Sequence, residues 1–444
     1  MNTPISDFAI RRLGEARIKS PVLLSESAAD GGAGYVEDDQ RVVFAIEVGA
    51  AQSADPLGSR GLLEKAGPRR LIYFDPTKVH AGIVTCGGLC PGLNNVIRAV
   101  VMALWHRYGV RRISGIGYGF RGLLPELGIP VKALSPELVS DIHGFGGSML
   151  GSSRGYGERT LELVDAMERA ELDLLFAIGG DGTQRAALCL ADEIQRRERP
   201  IAVVGIPKTI DNDLSFVERS FGFETAVSRS VESVSCAHVE ARGAIDGVGI
   251  VKVMGREAGF IAAHTALAMN DVNFVLVPEV PFDVEGDSGL LASLERRLDA
   301  RHHAVLLVAE GAGQHLVSAE GHDASGNGKL GDIGVHLRDC IHRYFAAKGR
   351  EITLKYIDPS YLIRAAPANP TDAIYCARLG ANAVHAAMSG RTACLVGLVN
   401  HRLVHVPIAL ATAHRNRVNP RSPLWCDVME TTGQPSLVNH VGTR

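Results

Sequence analysis

Two short polar segments carry the residue types needed to hold a phosphorylated ligand and to move a proton. The first covers residues 179–183 and reads GGDGT, and the second covers residues 207–213 and reads PKTIDND. Glycines at a strand-to-helix turn let the backbone approach an anion, and the first amides of the helix point at it. Asp181 could hold magnesium against the phosphate, since that ion is bound by one or two carboxylates together with phosphate oxygens. The first segment alone fits either a phosphate loop or a structural tight turn.

The second segment favours the phosphate loop over the structural turn. Lys208, Asp211 and Asp213 follow a short apolar run at residues 202–206. Crowding an ammonium and two carboxylates at the end of a buried strand is costly unless a ligand or a metal balances their charges. We therefore interpret the two segments as parts of a phosphate site.

Apolar runs in front of these segments predict the strands that position them. Residues 175–178 and 202–206 are typical of buried strands, and Thr183 begins a helical pattern. Residues 80–85 predict a further strand, which ends in a glycine loop and is followed by a helical pattern at residues 96–106. A third glycine-rich loop carries Arg154. Three glycine loops at strand ends favour the crevice of a parallel sheet, where α/β proteins bind ligands.

Composition limits the class of protein. The 444 residues, 46% of them hydrophobic, can fill two or three α/β domains. A net charge of -3 and 5% aromatic residues give no reason to expect nucleic acid or a membrane as partner. No run approaches the roughly 20 apolar residues of a membrane span, and the first residues lack the apolar core of a signal peptide. Eight singly scattered cysteines predict reduced thiols and a cytoplasmic location.

Residues 1–70 are interpreted as an N-terminal extension with a packing or subunit-contact role. Ser6 or Asp7 is expected to cap a short amphipathic helix. A glycine-rich turn is expected at residues 30–34, and residues 42–46 predict a strand.

The order of the motifs resembles the phosphofructokinase family. The resemblance covers residues from about 70 to about 410 and is far more specific than any single loop. The matching residues are, in chain order, Gly87, Gly88, Pro91 and Gly92, then Gly147, Ser148, Ser153, Arg154 and Gly155, then residues 179–183 and 207–213, then Met254, Gly255 and Arg256.

This resemblance implies an α/β fold with two doubly wound, three-layer domains that face each other across an active-site cleft, preceded by the N-terminal extension. The nucleotide-binding domain is expected at residues 71–222 and 368–415, and the sugar-phosphate domain at residues 223–367. The C-terminal tail, residues 416–444, is expected to pack on the second domain. Family members are usually homotetramers with allosteric sites at subunit contacts, which implies a homo-oligomer here.

The resemblance also implies roles for individual residues. Asp211 matches the general base that takes the proton from the C1 hydroxyl of fructose 6-phosphate, with Lys208 and Arg154 neutralising the charge of the transferred phosphoryl group. Asp181 matches the ligand of Mg²⁺. Contacts to ATP are expected from Gly88, Arg154, Gly155, Gly180, Asp181, Gly182 and Thr183. Contacts to the sugar phosphate are expected from Thr209, Ile210, Asp211, Met254, Gly255, Arg256, Glu310, Tyr361, Leu362, Ile363 and Arg364.

The phosphoryl donor in this family is ATP or pyrophosphate. Pyrophosphate users carry an aspartate at the position of Gly182, where its carboxylate would repel the α-phosphate of ATP. Lys208 is common among pyrophosphate enzymes. Together with the run at residues 73–76 and the extension, the glycine resembles the ATP-dependent branch of plants and protists. A pyrophosphate-dependent phosphotransferase stays an alternative, and so does a catalytically silent sugar-phosphate sensor or regulatory subunit, although such proteins typically lose Asp181 or Asp211.

One position departs from the family pattern. Compact bacterial members have an arginine seven residues before the methionine of the Met-Gly-Arg motif, where it reaches the substrate of a neighbouring subunit. This chain has Gly247 at that position. Arg242 and Lys252 are nearby candidates for the missing charge, and the sequence does not choose between them.

Overall fold

The computed structural model describes residues 8–25, 32–46, 61–317, 321 and 329–439. The chain forms two compact units. The first unit contains the described residues of Met1–Thr209, Leu214–Gly222 and Ala365–Arg415. The second contains those of Ile210–Asp213, Phe223–Arg364 and Asn416–Arg444.

Strands and helices alternate along most of the described chain. The strands are β1 (Arg11–Arg12), β2 (Ile18–Lys19), β3 (Arg41–Val43), β4 (Leu62–Lys65), β5 (Leu71–Ile72), β6 (His80–Thr85), β7 (Arg112–Ile116), β8 (Lys132–Ala133), β9 (Leu174–Gly179), β10 (Ala202–Pro207), β11 (Gly247–Val253), β12 (Phe274–Leu276), β13 (His303–Ala309), β14 (Thr353–Ile357), β15 (Arg391–Thr392), β16 (Cys394–Val399) and β17 (Arg402–Pro407). The α-helices are α1 (Leu93–Met102), α2 (Thr160–Arg169), α3 (Asp181–Arg196), α4 (Phe223–Arg242), α5 (Phe260–Ala268), α6 (Leu290–Arg301), α7 (Ile333–Ala347), α8 (Ser360–Arg364), α9 (Pro370–Met388), α10 (Ile408–Ala411) and α11 (Pro423–Thr432).

The first unit is built on a nine-stranded sheet with the order β3-β4-β17-β16-β10-β9-β6-β7-β8. The five strands from β16 to β7 run parallel, and the outer strands join antiparallel. β6, β9 and β10 confirm the strands predicted from the three apolar runs. Their near-continuous apolar sequences are typical of parallel strands that are buried on both faces.

Helices cover both faces of this sheet. Leu175 and Val203 point into a core shared with α2 and α3, and α1 packs against α9, which contacts β10. Gly380 permits the close approach of α1 and α9, because a Cβ there would lie 2.6 Å from the Cβ of Ala99. The predicted three-layer α/β fold is therefore observed in this unit.

The N-terminal residues take part in the same sheet. β4 pairs with β17 and β3 pairs with β4, whereas β1 pairs with β15 in a separate two-stranded sheet. The predicted caps Ser6 and Asp7, and the first part of the turn at residues 30–34, lie outside the described residues. The helix expected after these caps is wrong over the described residues, because Arg11–Arg12 pairs as a strand with Arg391–Thr392. The strand predicted at residues 42–46 is observed only in part, because β3 covers Arg41–Val43 and residues 44–46 lie outside it.

A buried ionic cluster within the first unit connects β4 with β15 and β17. Glu64 accepts hydrogen bonds from Arg391 and from Arg69, and His405 lies 3.3 Å from the same carboxylate. Burial would raise the pKa of Glu64, but His405 and Arg391 hold it well below its usual range. Burial lowers the pKa of His405 to about 4. Asp38 also pairs with both arginines, at 2.9 and 2.8 Å. The two guanidinium charges are thus balanced by two carboxylates from the N-terminal residues.

The second unit contains a four-stranded parallel sheet with the order β12-β13-β11-β14. Val251 and Val253 of its central strand face a core formed with α4, α5 and α11. Ile250 points to the opposite face and packs with α6 and α7. In α11, Trp425 and Val428 belong to the first of these cores, so residues after Asn416 contribute to the unit. Among the described residues, no helix has the length and apolar character needed to cross a bilayer.

Candidate active site

The GGDGT segment of the first unit forms a tight turn between a strand and a helix. β9 ends at Gly179, and α3 begins at Asp181, two residues before the expected helix start at Thr183. A Cβ on Gly179 would lie 2.2 Å from the Thr183 Oγ1 atom, so only glycine fits there. The turn brings the unpaired amides of the first helical residues to the carboxyl end of the sheet, where they can bind an anion.

Two further glycine segments meet this turn. The amide of Cys86 donates to the Ile178 oxygen (2.9 Å), and that of Gly87 donates to the Ser153 oxygen (2.8 Å). The Arg154 guanidinium lies 3.7 Å from the position that a Cβ on Gly88 would take. The loop at residues 146–155 does not follow a strand, which corrects the prediction of three strand ends. It follows a 3-10 turn and joins β6 through an isolated bridge between Cys86 and Ser153.

Lys208 places a buried positive charge among these loops. Its side chain is 7% exposed, and Nζ donates to the Gly88 oxygen at 2.7 Å. Its backbone amide donates to the Gly179 oxygen at 3.0 Å, and a Cβ on Gly180 would lie 3.1 Å from the Lys208 oxygen. Gly88, Arg154, Gly180 and Lys208 therefore converge within the first unit, as a phosphate site requires.

Asp181 has two basic neighbours that the sequence analysis missed. Its carboxylate lies 3.1 Å from Arg185 Nε and 3.8 Å from Arg415 Nη2. Arg185 stands one helical turn after Asp181, a spacing at which an ion pair is expected. Arg415 stands 234 positions after Asp181 in the sequence, so no rule of sequence spacing could have identified it. The carboxylate at the start of α3 is thereby surrounded by positive charge.

Gln184 is a second residue that sequence reasoning missed. It is completely buried, and its amide nitrogen donates to the carbonyl oxygens of Ala177, Gly179 and Ile206. The last two of these carbonyls belong to the ends of β9 and β10. Gln184 therefore ties together the two strand ends that carry the phosphate loop and Lys208. A polar residue inside an apolar helix face was the available signal.

Two glycines near the phosphate turn leave open space. A Cβ on Gly182 or on Gly155 would meet no atom of the described residues within 4 Å. Gly155 has a φ of 82°, which favours glycine, whereas Gly182 lies in the first turn of α3 with no such restriction. The position of Gly182 can thus accept a side chain without rebuilding the backbone.

The second unit places another group of polar residues at the carboxyl ends of its strands. Val253 of β11 pairs with Ala309 of β13, so the residues that follow each strand are neighbours. The Gly311 amide donates to the Gly255 oxygen at 3.0 Å. A Cβ on Gly311 would lie 1.9 Å from the Arg256 oxygen, which explains the glycine after Glu310.

Asp211 belongs to this group. Its Oδ2 accepts the Arg256 amide at 3.3 Å, and its Oδ1 is buried without a hydrogen-bond partner in the described part of the chain. Burial, with the negative charges of Asp213 and Glu310 adding to it, raises the pKa of Asp211 to about 7. A carboxylate with this pKa and a free buried oxygen has the properties of a general base that works near neutral pH.

Glu310 and Arg364 complete the charged group around Asp211. Burial raises the pKa of Glu310, although the charges of Arg364, Lys252 and Arg256 oppose this effect. The Arg364 Nε atom donates to the sulfur of Met254 at 3.4 Å. The structure thus brings Asp211, Met254, Gly255, Arg256, Glu310 and Arg364 together within the second unit.

The remaining predicted sugar contacts differ in their exposure. Tyr361 and Leu362 are strongly exposed on α8, whereas Ile363 is fully buried and Ile210 packs against the same core. Only the backbone of Ile363 could therefore reach a ligand. Thr209 belongs to the first unit, where its carbonyl oxygen accepts the hydroxyl of Ser220.

The structure explains the glycine at the position of the missing arginine. A Cβ on Gly247 would lie 2.0 Å from the oxygen of Ala241, so no side chain fits there without movement of α4. Of the two nearby candidates, Arg242 is exposed at the last turn of α4. Lys252 is 12% exposed and lies 3.0 Å from both Asp332 and Asp358.

Comparison with known proteins shows which family the chain resembles. The family described as Phosphofructokinase matches residues 80–387. The chain is 52% identical over 440 residues, 97% of each chain, to a Borreliella burgdorferi protein named ATP-dependent 6-phosphofructokinase. It is 46% identical over 386 residues to ATP-dependent 6-phosphofructokinase 7 of Arabidopsis thaliana, covering 86% of this chain and 79% of that one. The fold also resembles a pyrophosphate-dependent phosphofructokinase of Marinobacter aquaeolei, with a TM-score of 0.66, 20% identity and coverage of 82% and 94%.

Proposed function

The chain belongs to the phosphofructokinase family, and from that premise we propose that it is an ATP-dependent 6-phosphofructokinase. It transfers the γ-phosphate of ATP to the C1 hydroxyl of fructose 6-phosphate, which gives fructose 1,6-bisphosphate and ADP, a step of glycolysis. The observation that carries this proposal is the 52% identity, over nearly the whole of both chains, to a relative named for that activity. The relative in Arabidopsis thaliana supports assignment to the branch that includes plant enzymes.

The first unit is proposed to bind the nucleotide. The amides of the GGDGT turn and the charges of Lys208 and Arg154 would meet the phosphate oxygens. Phosphoryl transfer needs aligned reactants and neutralised equatorial oxygens more than covalent assistance. Lys208 suits this role because the carbonyl of Gly88 already fixes its ammonium at 2.7 Å. Arg154 can meet two phosphate oxygens at once with its planar guanidinium.

Asp181 is proposed to hold Mg²⁺ with the nucleotide. Among the described residues no group of three or more histidine, cysteine or acidic side chains forms a metal cage. A carboxylate at the first residue of α3 suits magnesium, which is usually held by one or two carboxylates, water and substrate phosphates. When bound, the ion supplies neutralisation of the phosphate charge. Arg185 and Arg415 would orient the Asp181 carboxylate before the nucleotide arrives.

The second unit is proposed to bind the sugar phosphate, with Asp211 as the general base. The Arg256 amide orients the carboxylate through Oδ2, and the partnerless Oδ1 can accept the C1 hydroxyl proton. A pKa of about 7 lets the group be ionised at neutral pH and still bind the proton as the oxygen attacks. Arg256 and Arg364 are suited to the 6-phosphate, because each offers a fork of donors to phosphate oxygens.

Two positions bear on the choice of phosphoryl donor, Gly182 and Lys208. Gly182 leaves open space at the first turn of α3, which supports ATP because its α-phosphate needs room there. The buried Lys208 favours the second candidate function, the pyrophosphate-dependent phosphotransferase. Both candidates require Asp181 and Asp211, whose presence argues against a catalytically silent sensor.

A comparison of donors tests the proposal. The purified protein is incubated with fructose 6-phosphate, magnesium and either ATP or pyrophosphate, and fructose 1,6-bisphosphate is measured with a coupled aldolase assay. We expect turnover with ATP and at least about a hundredfold lower kcat/KM with pyrophosphate. Turnover with pyrophosphate alone would support the second candidate, and no turnover with either donor would support the sensor.

The proposal includes a cytoplasmic homo-oligomer, with a tetramer as the expected state. Leu23 is 91% exposed in the N-terminal part of the first unit, and Ile46 is 68% exposed. Large exposed apolar side chains of this kind are suited to a subunit contact. The eight cysteines are all free, which suits a reducing compartment. Light scattering at several protein concentrations measures the oligomeric state, and a monomer at all concentrations would contradict this part.

A further inference from the structure

Lys252 lies beside the sugar-phosphate group of residues but is held by two acidic partners. It is the penultimate residue of β11, and the turn that follows this strand carries Met254 and Arg256. Its Nζ atom lies 3.0 Å from Asp332 Oδ2 and 3.0 Å from Asp358 Oδ2. An ammonium shared by two carboxylates is fully compensated, so it is poorly placed to bind a phosphate as well.

Each of the two carboxylates also accepts a hydrogen bond from a backbone amide at the start of a helix. Asp332 caps α7, where its Oδ1 accepts the amide of Val335 at 3.1 Å. Asp358 precedes α8 and accepts both the amide and the hydroxyl of Ser360, at 3.1 and 2.6 Å. Lys252 therefore connects the end of β11 to the start of two helices.

The helix after Asp358 is the one that carries Arg364. Within the second unit, Arg364 Nε donates to the sulfur of Met254 at 3.4 Å, and its charge acts on both Glu310 and Asp211. The position of α8 relative to the end of β11 thus decides where the Arg364 guanidinium lies. Ile363 anchors the middle of α8 in the core next to α4, while two polar contacts hold its ends, the ion pair of Lys252 with Asp358 at the start and the bond of Arg364 to Met254 at the end.

Tyr356 supports the same arrangement from β14. Its hydroxyl donates to Asp332 Oδ1 at 3.1 Å, and Lys252 Nζ lies 5.9 Å from the centre of its ring. Burial would lower the pKa of Lys252, but Asp332, Asp358 and Tyr356 raise it above its ordinary value. The lysine is thus charged throughout the range in which the enzyme would work.

We propose that Lys252 is a positioning residue for the sugar phosphate: its ion pair with Asp358 fixes α8, and thereby Arg364, at the end of β11. This inference rests on the proposed function. In this proposal Lys252 strengthens the binding of fructose 6-phosphate although it does not touch the phosphate. Removing the lysine would leave Asp332 and Asp358 as two uncompensated carboxylates, which repel each other and displace the start of α8.

Steady-state kinetics of four variants test the inference. Lys252→Met removes the charge, Asp358→Asn removes its partner, and the double variant removes both. Lys355→Met is the matched control, because it is an exposed lysine on the neighbouring strand β14. We expect Lys252→Met to raise KM for fructose 6-phosphate about tenfold or more, since small displacements of binding groups have effects of this size. KM for ATP should change less than about twofold, and Lys355→Met should behave as the unchanged protein.

The double variant distinguishes positioning from direct binding. If Lys252 acts through Asp358, the Asp358→Asn variant also raises KM for fructose 6-phosphate, and the double variant is no worse than either single change. If Lys252 binds the phosphate itself, Asp358→Asn leaves the lysine with Asp332 as its one acidic partner of the two, and KM for fructose 6-phosphate falls or stays unchanged, which would overturn the proposal. Equal losses for both substrates, or a KM for fructose 6-phosphate equal to that of Lys355→Met, would also overturn it. Failure of the proposed function is separate, because the unchanged protein would then show no turnover.

Discussion

Replacing the proposed base with its uncharged isostere should stabilise the protein in a pH-dependent way. In the folded chain the pKa of Asp211 is raised from 3.8 to about 7, first by burial and then by Asp213 and Glu310. The folded state therefore binds a proton more tightly than the unfolded state does. Stability contributed by the protonated group is present below about pH 4 and is lost as the pH rises to about 7. Asp211→Asn cannot ionise, so the variant does not suffer this loss.

The size of the effect follows from the two pKa values. At roughly 1.4 kcal/mol per pH unit, a change from 3.8 to about 7 corresponds to an upper limit of about 4 kcal/mol above pH 7. The residue Asp211 is partly exposed to solvent. Water near the carboxylate therefore reduces the free-energy cost of ionising it. We therefore expect Asp211→Asn to gain about 2 kcal/mol at pH 8 and much less at pH 4.5. In a unit of this size, that gain raises Tm by about 5 °C.

Thermal unfolding at the two pH values measures this difference. The variant and the unchanged protein are melted at pH 4.5 and pH 8 in the same ionic strength, with Asp287→Asn, an exposed acid of the same unit, as control. We expect the control to show no gain at either pH. Turnover of Asp211→Asn should fall by about a hundredfold or more, as expected for loss of a general base. A gain that is equal at both pH values, or none at pH 8, would refute the assignment of a raised pKa to Asp211.

Three further substitutions test other parts of the structure. Gly182→Asp fills the open space after Asp181 and should lower kcat/KM for ATP about a hundredfold while pyrophosphate is affected less; Gly182→Ala should keep the ATP preference, and an unchanged donor ratio in the aspartate variant would contradict the reasoning. Gln184→Met removes three buried hydrogen bonds and should cost about 2–3 kcal/mol in urea unfolding and raise KM for ATP more than KM for fructose 6-phosphate; equal changes in both KM values would count against its place behind the phosphate loops. Glu64→Gln leaves Arg391 and Arg69 with the more exposed Asp38 as their remaining carboxylate and should cost about 3 kcal/mol, whereas Glu15→Gln, in the exposed pair with Arg17, should stay within about 0.5 kcal/mol; similar losses for both would contradict the buried cluster.

The strands that carry the phosphate loops could be predicted from the sequence because their signals are local. An apolar run that ends in glycines marks both a buried strand and the turn after it, and β6 and β9 follow this rule. The apolar run of β10 ends in Pro207 and Lys208 instead, but it is equally local. The loop at residues 146–155 has the same glycines but follows a 3-10 turn. Its position comes from a bridge to Cys86, a contact between distant residues. Glycine content predicts a close backbone approach, but it does not tell which element precedes the loop.

The basic residues near the carboxylates show the same limit. Arg185 could have been found from its spacing to Asp181 on one helix, whereas Arg415 reaches the same carboxylate only through the fold. The helix expected at the start of the chain is wrong for a related reason. Arg11 and Arg12 have good helix propensity, but strand pairing with Arg391–Thr392 decides their conformation. Tertiary contacts of this kind have no signature in a single sequence.

Gly247 shows that a departure from a family pattern is a change of backbone packing as well as of charge. The oxygen of Ala241 lies 2.0 Å from the place of a Cβ, so α4 ends too close to β11 for any side chain. Gly249, two residues on, faces Ala237 of the same helix at 3.0 Å. An arginine cannot return at position 247 unless the last turns of α4 move away from the strand. The charge that binds the 6-phosphate must therefore come from elsewhere. Since Lys252 is already compensated by Asp332 and Asp358, we propose that Arg256 and Arg364 supply this charge.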